Sequence, residues 1–325
     1  MQTGDLNEGV VLDCATFDRG DIDFSPLRAV LPRWQMHAST APGETLERLS
    51  GCEVVISNKV VLDRSVLERS PRLRFVGVAA TGYNNVDVQA ASELGITVCN
   101  VRDYATASVV QHVYAVILEL ARRTCDYRTA LAGGAWSRAS GFCLLDYPIT
   151  DLSGKVLGVV GFGVLGQAVA AAAPAFGLQV MVAERGNVAP RPGRYALDEV
   201  IATADILSLH CPLTTSTAGL INAATLRRMK PSAWLVNTAR GGLVDEAALA
   251  EAIEHEVIAA AALDVLSVEP PPPDHPLLKL LPHPGLLITP HIAWAARSAR
   301  QKLIDEVARN IEAFALGQPR NVIQP

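Results

Sequence analysis

The sequence predicts an α/β protein of two domains, each built on a doubly wound parallel sheet. Short apolar runs alternate with helical patterns nearly from end to end, as chains made of βαβ units do. Half of the 325 residues are apolar, enough to fill two cores of ordinary size. The apolar runs also fall into two sets, separated by a long apolar helical stretch, "ATASVVQHVYAVILELARR" at 105–123.

The first set holds four predicted strands: "VVLD" (10–13), "EVVIS" (53–57), "LRFVGVAA" (73–80) and "ITVCN" (96–100). The second set holds six: "KVLGVVG", "LQVMVAE", "DILSLH", "AWLVNT", "IAAAALDV" and "LLIT". Residues 133–150, "GGAWSRASGFCLLDYPIT", lack periodicity and read either as an arm packing elsewhere on the molecule or on a second subunit, or as a surface loop. The tract "EPPPPDHP" (269–276) predicts extended or polyproline chain. A last helix over 295–317 places Leu303, Ile304, Val307, Ile311, Phe314 and Ala315 on one core-facing side.

Composition narrows the function classes. A net charge of -5, with no run of Lys or Arg, leaves no electrostatic footprint for nucleic acid or an anionic membrane. The first residues, "MQTGDLNEGVVLDCATFDRGD", are acidic and polar where a signal peptide is basic and then apolar, and no stretch is apolar enough to span a bilayer. The expected location is the cytoplasm. Six cysteines (Cys14, Cys52, Cys99, Cys125, Cys143, Cys211) lie far apart without metal-ligand spacing, so reduced, mostly buried thiols and no metal site are expected.

Gly161, Gly163 and Gly166 directly follow a predicted strand and open an Ala/Val helix in "KVLGVVGFGVLGQAVAAAA". Glycine makes up 24 of the 325 residues, so the G-x-G-x-x-G spacing alone is weak; its context gives it force. A strand before and a helix after supply a tight turn, a backbone open to a pyrophosphate, and helix amides aimed at that anion, with Val164 and Leu165 at the helix start. Glu184, eighteen residues beyond Gly166, ends the next strand where an acid grips a ribose diol. This predicts NAD. Arg185 beside it could meet a 2′-phosphate, which leaves NADP open. Pro174 falls inside the helix pattern and predicts a kink or an end there.

Chemistry-bearing residues stand at the ends of the later strands. Arg240 follows "LVNT", Asp264 ends "AAAALD", Glu269 sits five residues on, and His291 follows "LLITP". A cation at the end of a buried strand is costly unless an anion meets it. Singly, each has an ordinary explanation: a loop histidine, a solvated carboxylate, a capping arginine. Together, downstream of a dinucleotide loop, they point to one rim of an open parallel sheet, where active sites of such sheets lie.

With these stretches the chain resembles the D-isomer-specific 2-hydroxyacid dehydrogenases, most closely the bacterial glycerate dehydrogenase or hydroxypyruvate reductase type. The matching segments include "ISNKVVLD", "VAATGYNNVDVQAA", "LHCPLTTSTAGLIN", "MKPSAWLVNTARGGLVDEAAL", "LDVLSVEPPPPDHPLL" and "LLITPHIAWAARSARQ", and run from about residue 50 to the end. The resemblance implies a Rossmann NAD-binding domain (101–290) inserted in a flavodoxin-like substrate-binding domain made of 1–100 and 291–325. It implies a catalytic Arg240, the acid Glu269 and a proton-transferring His291. Ala80, Thr81 and Gly82 would hold the substrate carboxylate, with Asn58 and Lys59 near the same pocket. Val109, Cys211, Pro212, Thr217, Thr238, Ala239 and Asp264 would line the cofactor, and the enzyme would be a homodimer. Glu184 stands where aspartate is commoner, and Glu256 and Ala260 replace expected glycines before "ALDV".

On this reading Arg240 presents its planar fork to a 2-keto acid, and Glu269 favours the imidazolium form of His291, which gives its proton as hydride reaches the carbonyl carbon. The two following glycines, Gly241 and Gly242, let the chain turn tightly there. The expected activity is NADH-dependent reduction of hydroxypyruvate or glyoxylate to D-glycerate or glycolate. Open alternatives are D-lactate, 3-phosphoglycerate or phosphite as substrate, and a non-catalytic NAD-sensing, corepressor-like protein. A 3-phosphoglycerate enzyme would often carry a further regulatory domain, and the sequencing of motifs ends at Pro325 without one.

Overall fold

The computed structural model describes residues 6–186 and 188–325. The chain forms two compact units, one from the N-terminal segment up to Ala105 together with Trp294–Pro325, the other from Thr106–Ala293. His291 therefore belongs to the second unit.

In the first unit, β1 (Glu8–Val11), β2 (Arg33–Met36), β3 (Val54–Ser57), β4 (Phe75–Val78) and β5 (Thr97–Cys99) make one sheet in the order β2-β1-β3-β4-β5. Every pairing is parallel. That order is the flavodoxin-like one, with its reversal between β1 and β3. Patterning predicts four strands here, and the fifth, β2, lies at the sheet edge with side chains alternating between exposed and half-buried, so it carries no continuous apolar run.

Alternate residues of these strands feed two cores. Val11, Ile56 and Phe75 pack with Leu303, Ile304, Val307 and Ile311 of the helix Arg297–Ala315, while Val10, Val55 and Val76 pack with Ala90 and Ala91 on the other face. Full burial of such side chains stabilises by about 1.5–3 kcal/mol each, which is what holds the returning C-terminal helix to the sheet. Ala315, expected in that core, is exposed, and Ala308 is buried instead.

The second unit carries β6 (Val156–Val160), β7 (Gln179–Val182), β8 (Ile206–Leu209), β9 (Trp234–Asn237), β10 (Ala260–Leu263) and β11 (Leu286–Ile288) in the order β11-β10-β9-β8-β6-β7, all parallel. The edge beyond β7 adds a single parallel bridge, Ala183 with Tyr195, a reduced version of the third strand of a Rossmann half. The order reverses between β6 and β8. The helix Thr106–Arg122 buries Val113, Tyr114 and Ile117; Tyr114 stacks on Phe176 at 4.8 Å and donates to the Val169 carbonyl at 2.7 Å. The helix after β6 ends at Ala172, and Pro174 lies in the 3-10 turn Ala173–Phe176, where its missing amide costs nothing. The proline tract does not stay extended, because the chain turns at 272–275 and enters the short helix Pro276–Lys279.

Candidate active site

The glycine loop leaves β6 at the reversal point of the sheet. Gly161 has φ +92°, and a Cβ on it would lie 2.4 Å from the Cys211 amide nitrogen. A Cβ on Gly166 would lie 2.0 Å from the Gly161 carbonyl oxygen, whereas one on Gly163 would meet nothing within 4 Å. Two glycines are thus required by the protein's own packing, and the third leaves open the approach to the first turn of the helix Val164–Ala172. That cradle fits a dinucleotide pyrophosphate. The loop after β8 faces it through Cys211, and burial pushes the Cys211 thiol up, away from reactivity. Thr217 closes that loop by donating to the Pro212 carbonyl at 2.7 Å. Thr238, past the end of β9, has a buried hydroxyl with no partner among the described residues, a polar atom suited to a bound ligand.

Glu184 is buried, and its carboxylate is already engaged. Arg191 holds it well below the usual carboxylate range, aided by the backbone amides of Arg185 and Arg191. Sequence reading missed Arg191 because loop arginines are ordinary; its signal was the cluster "RPGR" after the acid.

Arg240 extends from the end of β9 into solvent, and its guanidinium donates to the Ala239 carbonyl at 2.7 Å. It makes no ion pair among the described residues. The desolvation cost expected for a cation at a strand end does not arise, because the side chain is exposed. Asn237, fully buried, shapes the turn beneath it by donating to the Arg240 carbonyl at 2.9 Å and accepting from the Ala239 amide at 3.0 Å. Neither following glycine adopts a positive φ. Gly241 is instead needed for contact, since a Cβ there would lie 1.9 Å from the Leu266 carbonyl carbon, while Gly242 faces the Leu213 side chain.

That contact ties the arginine segment to the loop carrying Glu269. The Glu269 carboxylate accepts from the Leu266 amide at 2.9 Å and lies 2.5 Å from His291 Nδ1. Glu246 supports the same loop, accepting from the Ser267 amide and hydroxyl at 2.6 and 2.5 Å, with His275 Nε2 at 3.0 Å. His291 sits in the left-handed region at φ 55°, unusual for a non-glycine residue and worth roughly 1–2 kcal/mol of strain. Its amide donates to the Asp264 carbonyl at 2.8 Å, and the Asp264 carboxylate takes the amides of Ile292 and Ala293 at 2.9 and 2.8 Å and the Thr289 hydroxyl at 2.6 Å. Because the single Thr289 hydroxyl proton goes to Asp264, His112 Nε2, 3.0 Å from that oxygen, must be the donor in this pair. Asp264 thus fixes the His291 loop, a duty that spacing did not reveal. His112 was legible only as a polar residue within the apolar helix that buries Val109.

In the first unit the carboxyl ends of β3 and β4 carry the remaining candidates. Asp13 accepts from the amides of Asn58 and Lys59 at 3.0 and 2.6 Å, and Asn58 donates to the Thr16 hydroxyl at 3.0 Å. After β4, Ala80 accepts from the Val101 amide at 3.0 Å, and Thr81 donates to the Val101 carbonyl at 2.9 Å, next to Gly82. Asp13, the acid ending "VVLD", is the organising group that sequence reading left unassigned.

The family model for the D-isomer specific 2-hydroxyacid dehydrogenase NAD binding domain matches residues 114–293. The chain belongs to this family of dehydrogenases. Glycerate dehydrogenase of Methylorubrum extorquens is 40% identical over 309 residues, covering 94% of this chain and 97% of that one. Hydroxypyruvate reductase of Blautia hydrogenotrophica is 37% identical over 320 residues, covering 97% and 98%. The crystal structure of the TT0316 protein of Thermus thermophilus superposes with a TM-score of 0.84 at 33% identity, covering 98% of this chain and all (100%) of that chain. The protein is an NAD-linked dehydrogenase of 2-hydroxy acids, and among the described residues no helix is long and apolar enough to cross a membrane.

Proposed function

We propose that this dehydrogenase reduces hydroxypyruvate or glyoxylate with NADH, giving D-glycerate or glycolate, with Arg240, Glu269 and His291 as its catalytic residues. The observation that carries the assignment is the 2.5 Å contact between His291 Nδ1 and Glu269 on the same sheet rim as Arg240. Bound nicotinamide supplies the hydride. The exposed guanidinium of Arg240 takes the 2-keto acid by its carboxylate and carbonyl oxygen, which orients the carbonyl carbon. Glu269 accepts from Nδ1–H, which orients the ring, so Nε2 is the nitrogen that passes the proton to the carbonyl oxygen.

The glycine loop with Val164 and Leu165, Glu184 and Arg185, and Val109, Cys211, Pro212, Thr217, Thr238 and Ala239 are assigned to the dinucleotide. Asp264 joins them, because three donors leave one acceptor position on its carboxylate for a carboxamide. In the first unit Asn58, Lys59, Ala80, Thr81 and Gly82 are assigned to substrate recognition. We assign the arm at 133–150 to a homodimer contact: Trp136, Phe142 and Leu145 are 52%, 91% and 76% exposed, a cluster that a second copy would cover. The cytoplasm is the proposed location.

Steady-state assay of a panel of 2-keto acids tests the substrate. Hydroxypyruvate or glyoxylate is expected to give the highest kcat/KM. A higher value for pyruvate would overturn that choice, and no turnover at all with NADH bound would overturn the catalytic assignment.

A further inference from the structure

The acid at the end of β7 cannot do what its position suggests while Arg191 stays in place. A carboxylate offers about four acceptor positions. Those of Glu184 are taken: Oε1 accepts from the Arg185 amide at 2.8 Å and from Arg191 Nη2 at 2.6 Å, and Oε2 accepts from Arg191 Nε at 2.8 Å and from the Arg191 amide at 3.1 Å. A ribose diol needs two acceptors and finds none. Its hydroxyls would have to displace a bidentate, charge-assisted pair with a weaker neutral one.

The same arrangement supplies donors. Two of the five guanidinium N–H groups of Arg191 are spent on Glu184, and the side chain is 67% exposed. Arg185 is exposed beside it, and the Arg194 guanidinium lies 4.4 Å from the ring centroid of Phe162, inside the glycine loop. The turn that holds these arginines is bonded to the strand end, with the Arg194 amide on the Arg191 carbonyl at 2.9 Å, the Tyr195 amide on the Val182 carbonyl at 3.0 Å and the Glu184 amide on the Tyr195 carbonyl at 2.8 Å. Three guanidinium groups against one neutralised carboxylate make the region a site for an anion.

We propose that Arg191 makes the ribose end of the dinucleotide site accept a 2′-phosphate, so that the enzyme binds NADPH at least as tightly as NADH. This inference rests on the dinucleotide reading of the glycine loop. It reverses the preference for NADH that Glu184 alone predicts: Glu184 anchors the arginine, and the arginine meets the phosphate.

Binding measured apart from turnover tests it. Titrations of NADPH and NADH, followed by nicotinamide fluorescence, are expected to give a Kd for NADPH equal to or below that for NADH, and adenosine 2′,5′-bisphosphate is expected to compete with NADPH better than AMP does. Arg191→Gln is expected to raise the NADPH Kd about tenfold or more and to leave NADH unchanged or tighter, with Arg191→Lys between, since it keeps the charge and loses the fork. Arg191 is exposed, and a thermal melt checks that both variants fold. Weaker binding of NADPH than of NADH in the wild type, or an NADPH Kd that Arg191→Gln leaves unmoved, would overturn the inference alone. Failure of both nucleotides to bind would overturn it together with the dinucleotide site.

Discussion

Arg240 carries no carboxylate partner among the described residues, and its planar fork is what a 2-keto acid requires. Arg240→Lys keeps the charge but loses two-point contact, and is expected to lower kcat/KM on the order of a hundredfold while the NADH Kd barely moves. Steady-state kinetics beside a binding titration checks both parts; near wild-type turnover would make the arginine structural. Glu269→Gln is expected to cost about ten- to a hundredfold in kcat for reduction with little change in KM, because it removes the charged partner that holds His291 rather than the grip on substrate. Burial pushes the His210 imidazole down to about 4 from 6.5. The unfolded chain takes up a proton below about 6.5 that the folded chain refuses until about 4, so the stability contribution is full above the first value and is lost as pH falls from 6.5 towards 4. Between pH 7 and pH 5.5 the loss is about 1 kcal/mol, and denaturant melts of His210→Gln are expected to lack that increment.

At the scale of the element, the helix Glu246–Glu254 ends in a Schellman motif: the Val257 amide reaches the Ala252 carbonyl at 2.8 Å and the Glu256 amide reaches Ile253 at 3.2 Å. Glu256 occupies the left-handed position at φ 54°, where the family resemblance leads one to expect glycine. Glu256→Gly is expected to stabilise the fold by about 0.5–1 kcal/mol in chemical denaturation, with kcat unchanged. Ala260 needs no such freedom, because it lies inside β10 in ordinary strand conformation. These details mark the limit of what the chain discloses before it is folded. The glycine spacing and the residues at strand ends were legible, since each records a local requirement. Arg191, Asp13 and the His112–Thr289–Asp264 chain were not, since their meaning lies in partners 7, 45 and up to 177 positions away. β2 escaped for the opposite reason: an edge strand needs no apolar run to form.

For the whole molecule, both sheets were legible because parallel sheets covered on two faces must be written as apolar runs spaced by helices. The assembly was not, since the arm at 133–150 has only the exposure of Phe142 and Leu145 to indicate a partner. Phe142→Asp with Leu145→Asp is expected to convert a dimer into a monomer in sedimentation equilibrium, with little change in the melting of the chain itself, as neither side chain is buried in the protomer. A wild-type monomer would sink the homodimer assignment directly.

His291 and Glu256 are two of the five described non-glycine residues held in a left-handed backbone conformation that side chains resist. A mutant library screened for heat resistance alone would treat them alike, favouring glycine or asparagine at both. At position 256 the change would pass without notice. At position 291 it would remove the group that hands over the proton, so survivors of such a screen would include folded, dinucleotide-binding proteins unable to turn over. The left-handed turn after β11 is therefore a place where selection for durability and selection for chemistry pull in opposite directions.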